Sequence, residues 1–244
     1  MVYAWRWFRS LVFVFQMYLM MAILGLVFSI PAMISRAWAF HAIHAYCRWV
    51  RWSARVLVGL RSEVRGTPPE DEVLIAAKHQ SFFDIIIIVS ETPRPKFIMK
   101  AELTRAPVLG WFAKRIGCVP VNRGKRGAAV KQMMEDVQKG RTVPGQLIIY
   151  PQGTRAAPGA ILPYKVGTYL LYDQLGQPCV PAATNVGVFW PRSGIYRKPG
   201  LAVVEFLPWV EPGLDQRAFM SRIHDDIEAA SDRLMAEAGW TALR

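Results

Sequence analysis

The chain has 244 residues, enough to bury a full core in one domain with an appendage. Its three cysteines, Cys47, Cys118 and Cys179, are widely spaced and odd in number. That argues against a disulfide framework or a cysteine-based zinc site and fits a reduced cytosolic environment. The formal net charge of +12 lies in two blocks: residues 1–65 hold eight Arg against one Glu, and residues 94–126 hold nine Lys or Arg against one Glu. Two such blocks imply two anionic partners, either nucleic acid or anionic lipid together with a phosphorylated substrate.

Ser10 to Ser35 carries no charged residue. As a helix it runs roughly 39 Å, more than the ~30 Å hydrocarbon core of a bilayer, so it predicts membrane insertion. A signal peptide is the rival, with Ala37-Trp38-Ala39 resembling a cleavage site, but the apolar stretch far exceeds a signal core of roughly 7–15 residues. Pro31 can kink or end the helix. Beyond it, His41, His44, Arg48, Arg51 and Arg55 recur at spacings of three and four, which predicts an interfacial amphipathic helix with these residues as its polar face. Trp5, Trp7, Phe8, Trp38, Trp49 and Trp52 suit the headgroup level. Arg flanks the apolar span on both sides. A helical hairpin dipping into one leaflet from the cytoplasmic side satisfies both flanks, and a single true span is the alternative. Residues 1–65 are read as this anchoring region and 66–244 as the second domain.

From Val73 onward, short apolar runs alternate with helical stretches. Strands are predicted at Val73–Ala77, Lys96–Met99, Cys118–Val121, Gln146–Tyr150, Cys179–Thr184 and Leu201–Phe206. Helices are predicted at Ser81–Glu91, Pro107–Arg115, Ala128–Lys139, Lys165–Leu175 and Asp215–Ala238. This alternation defines an α/β domain with a mostly parallel central sheet flanked by helices, whose sites form at the carboxyl ends of strands.

The chemistry-bearing stretch is Lys78-His79-Gln80-Ser81-Phe82-Phe83-Asp84, at the first strand-to-helix crossover, with Ser81 as a candidate N-cap. His79 falls in the turn and Asp84 about one turn into the helix. A carboxylate on one ring nitrogen fixes the tautomer and leaves the other nitrogen free to take a proton. No Ser or Cys nucleophile is evidently paired with them, so the substrate can supply its own hydroxyl. Taken alone, a His and an Asp five apart also fit a chance pair in a surface turn. Arg123, followed by Lys125 and Arg126 at a Gly-rich turn, suits a phosphate, because a guanidinium fork matches two phosphate oxygens; a solvated basic turn is the alternative. Tyr150-Pro151-Gln152-Gly153-Thr154-Arg155 exits another strand, with Gly153 permitting close backbone approach and Thr154 and Arg155 offering donors. An ordinary strand-exit turn reads the same way.

Together these stretches resemble the glycerolipid acyltransferases of the 1-acylglycerol-3-phosphate acyltransferase type. His79 through Asp84 looks like the family's His-x4-Asp motif. Met99-Lys100-Ala101-Glu102-Leu103, Pro107, Gly110-Trp111 and Gly117 through Arg123 look like its second block. Pro151 through Arg155 looks like its Glu-Gly-Thr-Arg block, and Val180-Pro181 like its fourth. Each block is weak alone, but their order and spacing agree over about residues 70–190.

The resemblance implies a membrane-bound enzyme on the cytoplasmic face of the inner membrane. It moves an acyl group from acyl-CoA or acyl-ACP (coenzyme A or acyl carrier protein) to a lysolipid hydroxyl. His79 acts as general base and Asp84 orients it. Lys100, Arg123, Gly153, Thr154 and Arg155 hold the acceptor phosphate. No metal, no cofactor and no nucleic acid are expected. Lys78, Asn122 and Gln152 stand where the family usually has Asn, Asp and Glu, and each departure makes the site more positive. They favour a strongly anionic acceptor or mark a different lysolipid, such as an amino-acid lipid. A non-enzymatic adaptor binding anionic lipid, a nucleic-acid-binding domain and a metal-dependent hydrolase are the competing readings.

Overall fold

The computed structural model describes residues 2–122, 126–140 and 144–241. Seven strands form one sheet: β1 (Leu60–Arg65), β2 (Leu74–Ala77), β3 (Pro95–Lys100), β4 (Val119–Val121), β5 (Gln146–Ile149), β6 (Cys179–Thr184) and β7 (Gly200–Phe206). Their order is β1-β7-β6-β2-β5-β3-β4. All neighbours pair in parallel except β6 with β7. β2, β5 and β6 are buried along their whole length, as continuous apolar runs require when both faces of a sheet are covered.

Eight helices accompany the sheet among the described residues: α1 (Val2–Val27), α2 (Ser29–Ile34), α3 (Arg36–Ser53), α4 (Phe83–Glu91), α5 (Pro107–Arg115), α6 (Arg126–Gly140), α7 (Gly167–Leu175) and α8 (Gln216–Glu237). One face of the sheet packs on α4 and the N-terminal helices, through Ile75, Ile148, Ile87, Phe13 and Val50. The other packs on α6, α7 and α8, through Leu74, Leu147, Leu171, Phe219 and Ile227. The α/β architecture with a mostly parallel sheet is as the sequence predicts. β1 was not predicted: its alternation of Leu60 and Val64 with Arg61, Ser62, Glu63 and Arg65 is short and mostly polar, as suits an edge strand.

The N-terminal helices form an antiparallel pair. Gln16 on α1 donates to the Ser53 hydroxyl at 2.9 Å and accepts from the Trp49 indole at 2.6 Å. Arg9 donates to the carbonyl of Val56 at 3.1 Å. Near the bend, the Phe28 and Trp38 rings lie 6.0 Å apart. Pro31 explains where α1 stops, because its missing N–H is the donor that the carbonyl of Val27 would need. Ser35, extended at φ −136°, then separates α2 from α3.

The predicted polar stripe of α3 is only partly solvent-facing. Arg51 donates to Ser62 and Ser90 at 2.8 and 2.7 Å and also bonds Glu91, while His44 bonds the carbonyl of Thr92 at 2.9 Å. These two residues fasten α3 to the end of α4, leaving His41, Arg48 and Arg55 as the exposed part of the stripe. Only 22% of the apolar window of α1 is buried. Phe13 and Met17 enter the core, while Trp5, Phe15, Leu26, Ile30 and Ile34 stay exposed, Ile34 by 81%.

Candidate active site

His79 follows directly on the buried strand β2, and Asp84 lies in the first turn of α4. The two side chains meet, with His79 Nδ1 2.9 Å from Asp84 Oδ1. Asp84 is wholly buried, and its second oxygen accepts the backbone N–H groups of Gln80 and Ser81 at 2.8 and 2.7 Å. A carboxylate that already accepts two donors is an acceptor for the ring as well. Nδ1 therefore carries the proton, and Nε2 is left as the basic nitrogen. Ser81 is not the N-cap: α4 starts at Phe83, Phe82 precedes it without a side-chain cap, and the Asp84 carboxylate takes the free N–H groups of the turn. The Ser81 hydroxyl accepts the N–H of Phe83, at 3.3 Å.

β5 lies beside β2, so its exit loop reaches the same edge of the sheet. The N–H of Ala156 donates to the carbonyl of His79 at 2.8 Å and ties this loop to the site. Gly153 sits at φ +68°, a conformation that favours glycine, and a Cβ there would meet Lys165 Nζ at 2.9 Å. The Lys165 side chain thus lies across the Gly153 backbone. Thr154 and Arg155 are half-buried, and Arg155 donates to the carbonyl of Arg192 at 3.0 Å. Gln152 is buried, and neither atom of its side-chain amide has a partner among the described residues.

Of the remaining predicted anion-binding positions, one lies elsewhere and one falls outside the described residues. Lys100 ends β3, two strands from β2 or about 10 Å, and pairs with Glu102 at 3.2 Å on the surface. Arg123 and Lys125 lie outside the described residues, just beyond β4 and its neighbour Asn122. The inference that Lys78 adds positive charge to the site needs correction. Its ammonium is buried and bonded to Glu228 on α8 at 2.6 Å, and Tyr164 donates to the same carboxylate at 2.8 Å. Successive residues leave an extended segment on opposite sides, so Lys78 turns toward α8 and His79 toward α4.

The sequence reading missed two neighbours of the site. The Tyr150 ring stacks on the His79 imidazole, with centroids 4.0 Å apart and planes 22° apart. The signal available was a large aromatic at the exit of the strand, immediately before the Pro-Gln-Gly-Thr-Arg stretch. Lys165 had none, because its place depends on how the loop folds over Gly153. A surface concavity lined by Glu72, Lys96, Gly117 and Gln177 lies at the opposite, amino edge of the strands, away from this chemistry. Among the described residues, no group of three His, Cys, Asp or Glu side chains is gathered as a metal would require.

A buried acid thus aims an imidazole beside a basic loop at the carboxyl edge of a mostly parallel sheet. The acyltransferase family profile matches residues 61–185, and the chain belongs to that family. It is an enzyme of the O-acyltransferase class. It is 27% identical over 212 residues to a 1-acyl-sn-glycerol-3-phosphate acyltransferase of Pseudomonas aeruginosa, covering 86% of this chain and 82% of that one. It is 33% identical over 111 residues to a lyso-ornithine lipid O-acyltransferase of the same organism, covering 44% of this chain and 40% of that one. The crystal structure of the 1-acyl-sn-glycerophosphate acyltransferase from Thermotoga maritima superposes with a TM-score of 0.80 at 18% identity. That likeness spans 97% of this chain and all of the other, and it shows the shared fold.

Proposed function

We propose that the protein transfers a fatty acyl group from an acyl thioester, on coenzyme A or acyl carrier protein, to the free hydroxyl of 1-acylglycerol-3-phosphate, giving phosphatidic acid. One observation carries this reading: the His79–Asp84 bond, tied through the carbonyl of His79 to the loop that bears Gly153, Thr154 and Arg155. His79 Nε2 takes the hydroxyl proton as the oxygen attacks the thioester carbonyl. The C–S bond then breaks, and the proton passes to the leaving thiolate. A thioester is already activated, so positioning and base catalysis supply much of the acceleration. Arg155, with Thr154 and the backbone at Gly153, holds the acceptor phosphate, and Arg123 is assigned to the same anion. The exposed apolar faces of α1 and α2 enter one leaflet of the inner membrane from its cytoplasmic side, which brings the site to the lipid.

Release of free thiol from acyl-CoA or acyl carrier protein, with lysolipid as acceptor, tests the reading, and His79→Ala is expected to cost at least a hundredfold. A His79→Ala enzyme running at the wild-type rate refutes it. A lyso-amino-acid lipid is the second acceptor class. It is favoured by the uncharged Gln152 and by the name of the lyso-ornithine lipid relative. Mass spectrometry of the product from a panel of lysolipids with both donors decides between them.

A further inference from the structure

Asp84 is not alone against the His79 ring. Tyr150 comes from the exit of β5 and lies face to face on the imidazole. The Tyr150 ring continues the stack to Phe97 on β3, at 6.5 Å and 18°. Its hydroxyl is buried without a partner among the described residues, which costs stability. Burial, and secondarily the charge of Asp84, holds its ionisation well above that of an ordinary phenol. Tyr150 therefore stays a neutral ring at any working pH.

We propose that Tyr150 is a positioning residue whose ring face supports the His79 imidazole and favours the imidazolium formed when His79 accepts the acceptor's proton. This rests on the base role given to His79 above. The face of an aromatic ring is its negative side, and it attracts a cation most strongly where water is excluded. Neutral imidazole gains little from that face, while the imidazolium gains more, so the stack contributes mainly as the proton arrives. Asp84 acts on the same cation from within the ring plane. Of the other charged groups nearby, Arg155 donates to the carbonyl of Arg192. The Lys78 ammonium is bound to Glu228, and Lys165 lies over Gly153 in the loop beyond.

The experiment compares Tyr150→Phe, Tyr150→Leu and ring-fluorinated phenylalanines incorporated at position 150, reading kcat, acceptor KM and the pH profile. Tyr150→Leu is expected to lose about tenfold in kcat with acceptor KM unchanged. The acid limb of its profile moves to lower pH, because the imidazolium has lost its support. Phenylalanine rescues this loss to within about threefold. Fluorination, which drains the ring face without changing its shape, lowers kcat stepwise with each added fluorine. Fluorinated variants as fast as Tyr150→Phe overturn the proposal, and they decide it even where Tyr150→Leu fails to fold. Tyr150→Phe losing as much as Tyr150→Leu also overturns it, by placing the effect in the hydroxyl. An active His79→Ala enzyme would instead overturn the base role itself.

Discussion

Asp84→Asn separates the orientation of the proposed base, His79, from the folding of its turn. The Asp84 carboxylate accepts three donors: His79 Nδ1 and the N–H groups of Gln80 and Ser81. Asn keeps the shape but has one acceptor oxygen and one NH2 group. With the oxygen toward the two backbone donors, the turn is kept at a cost of about 1 kcal/mol. The NH2 then faces His79 and forces Nδ1 to accept, so the proton moves to Nε2 and the base is lost. The expected rate loss is about 10²- to 10⁴-fold. Asp84→Ala strands both backbone donors in the interior, at about 1–3 kcal/mol each, and is expected to lose about 4 kcal/mol in all. Thiol release measures the first quantity and denaturant unfolding the second. An Asn variant within threefold of the wild-type rate refutes the claim that Asp84 sets the tautomer. An Asn variant as unstable as Ala shows that the amide turns the other way.

Three further outcomes follow from the geometry. Gln152→Glu places a carboxylate at a buried position without a partner among the described residues, beside the loop proposed to hold phosphate, so acceptor KM is expected to rise several-fold; an unchanged or lower KM refutes this. Glu228→Gln leaves the Lys78 ammonium uncompensated at 3% exposure, and about 3 kcal/mol of stability should be lost, with most of it recovered in Lys78→Met/Glu228→Leu. A single variant melting with the wild type would mean that the pair is solvated. Burial holds the Cys118 and Cys179 thiols up at about 12, against 9.0 for an ordinary thiol. The unfolded chain therefore releases these protons first, and stability falls as pH rises from about 9 toward 12. The fully buried Cys179 thiol should resist modification in the native state, and its rapid labelling at neutral pH contradicts the burial.

The central strands were legible because β2, β5 and β6 carry apolar runs broken only at their ends, by Gln146 and Thr184, which leaves few alternatives to a covered sheet. β1 was not legible because an edge strand needs only Leu60 and Val64 to face inward. The His79–Asp84 pair was legible because both partners belong to one strand–turn–helix unit, where local geometry decides their meeting. Lys78 was misjudged for the opposite reason: its partner, Glu228, lies 150 residues away on α8, and no local pattern reveals that pairing. The stacking of Tyr150 on His79 depends on β5 taking the place next to β2, a matter of sheet order that spacing does not encode. The polar stripe of α3 was correctly periodic, but periodicity cannot say which of its members face water and which bond to Ser62, Ser90 and Thr92.

The N-terminal helices and the site share one packed cluster. Phe13 of α1 meets the Trp190 ring edge-on at 5.4 Å, and Trp190 lies flat against Phe83 at 5.2 Å. Phe83 is the residue before Asp84. Ser10 accepts the N–H of Arg197 at 3.0 Å, and the Arg197 guanidinium rests 4.2 Å over Trp190, where burial holds its pKa down at about 10. Close-packed aromatic contacts of this kind transmit position rather than absorb it. The depth at which α1 lies in a leaflet would therefore set the height of His79 above the lipid. A flexible tether would hold the protein at the membrane but leave the imidazole free to tilt and drift, and a displacement of about 1 Å is enough to cost a hundredfold in rate. That is a physical reason for burying Phe13 and Met17 in the same core as Phe83 and Trp190 while the opposite face of the same helix stays apolar and uncovered.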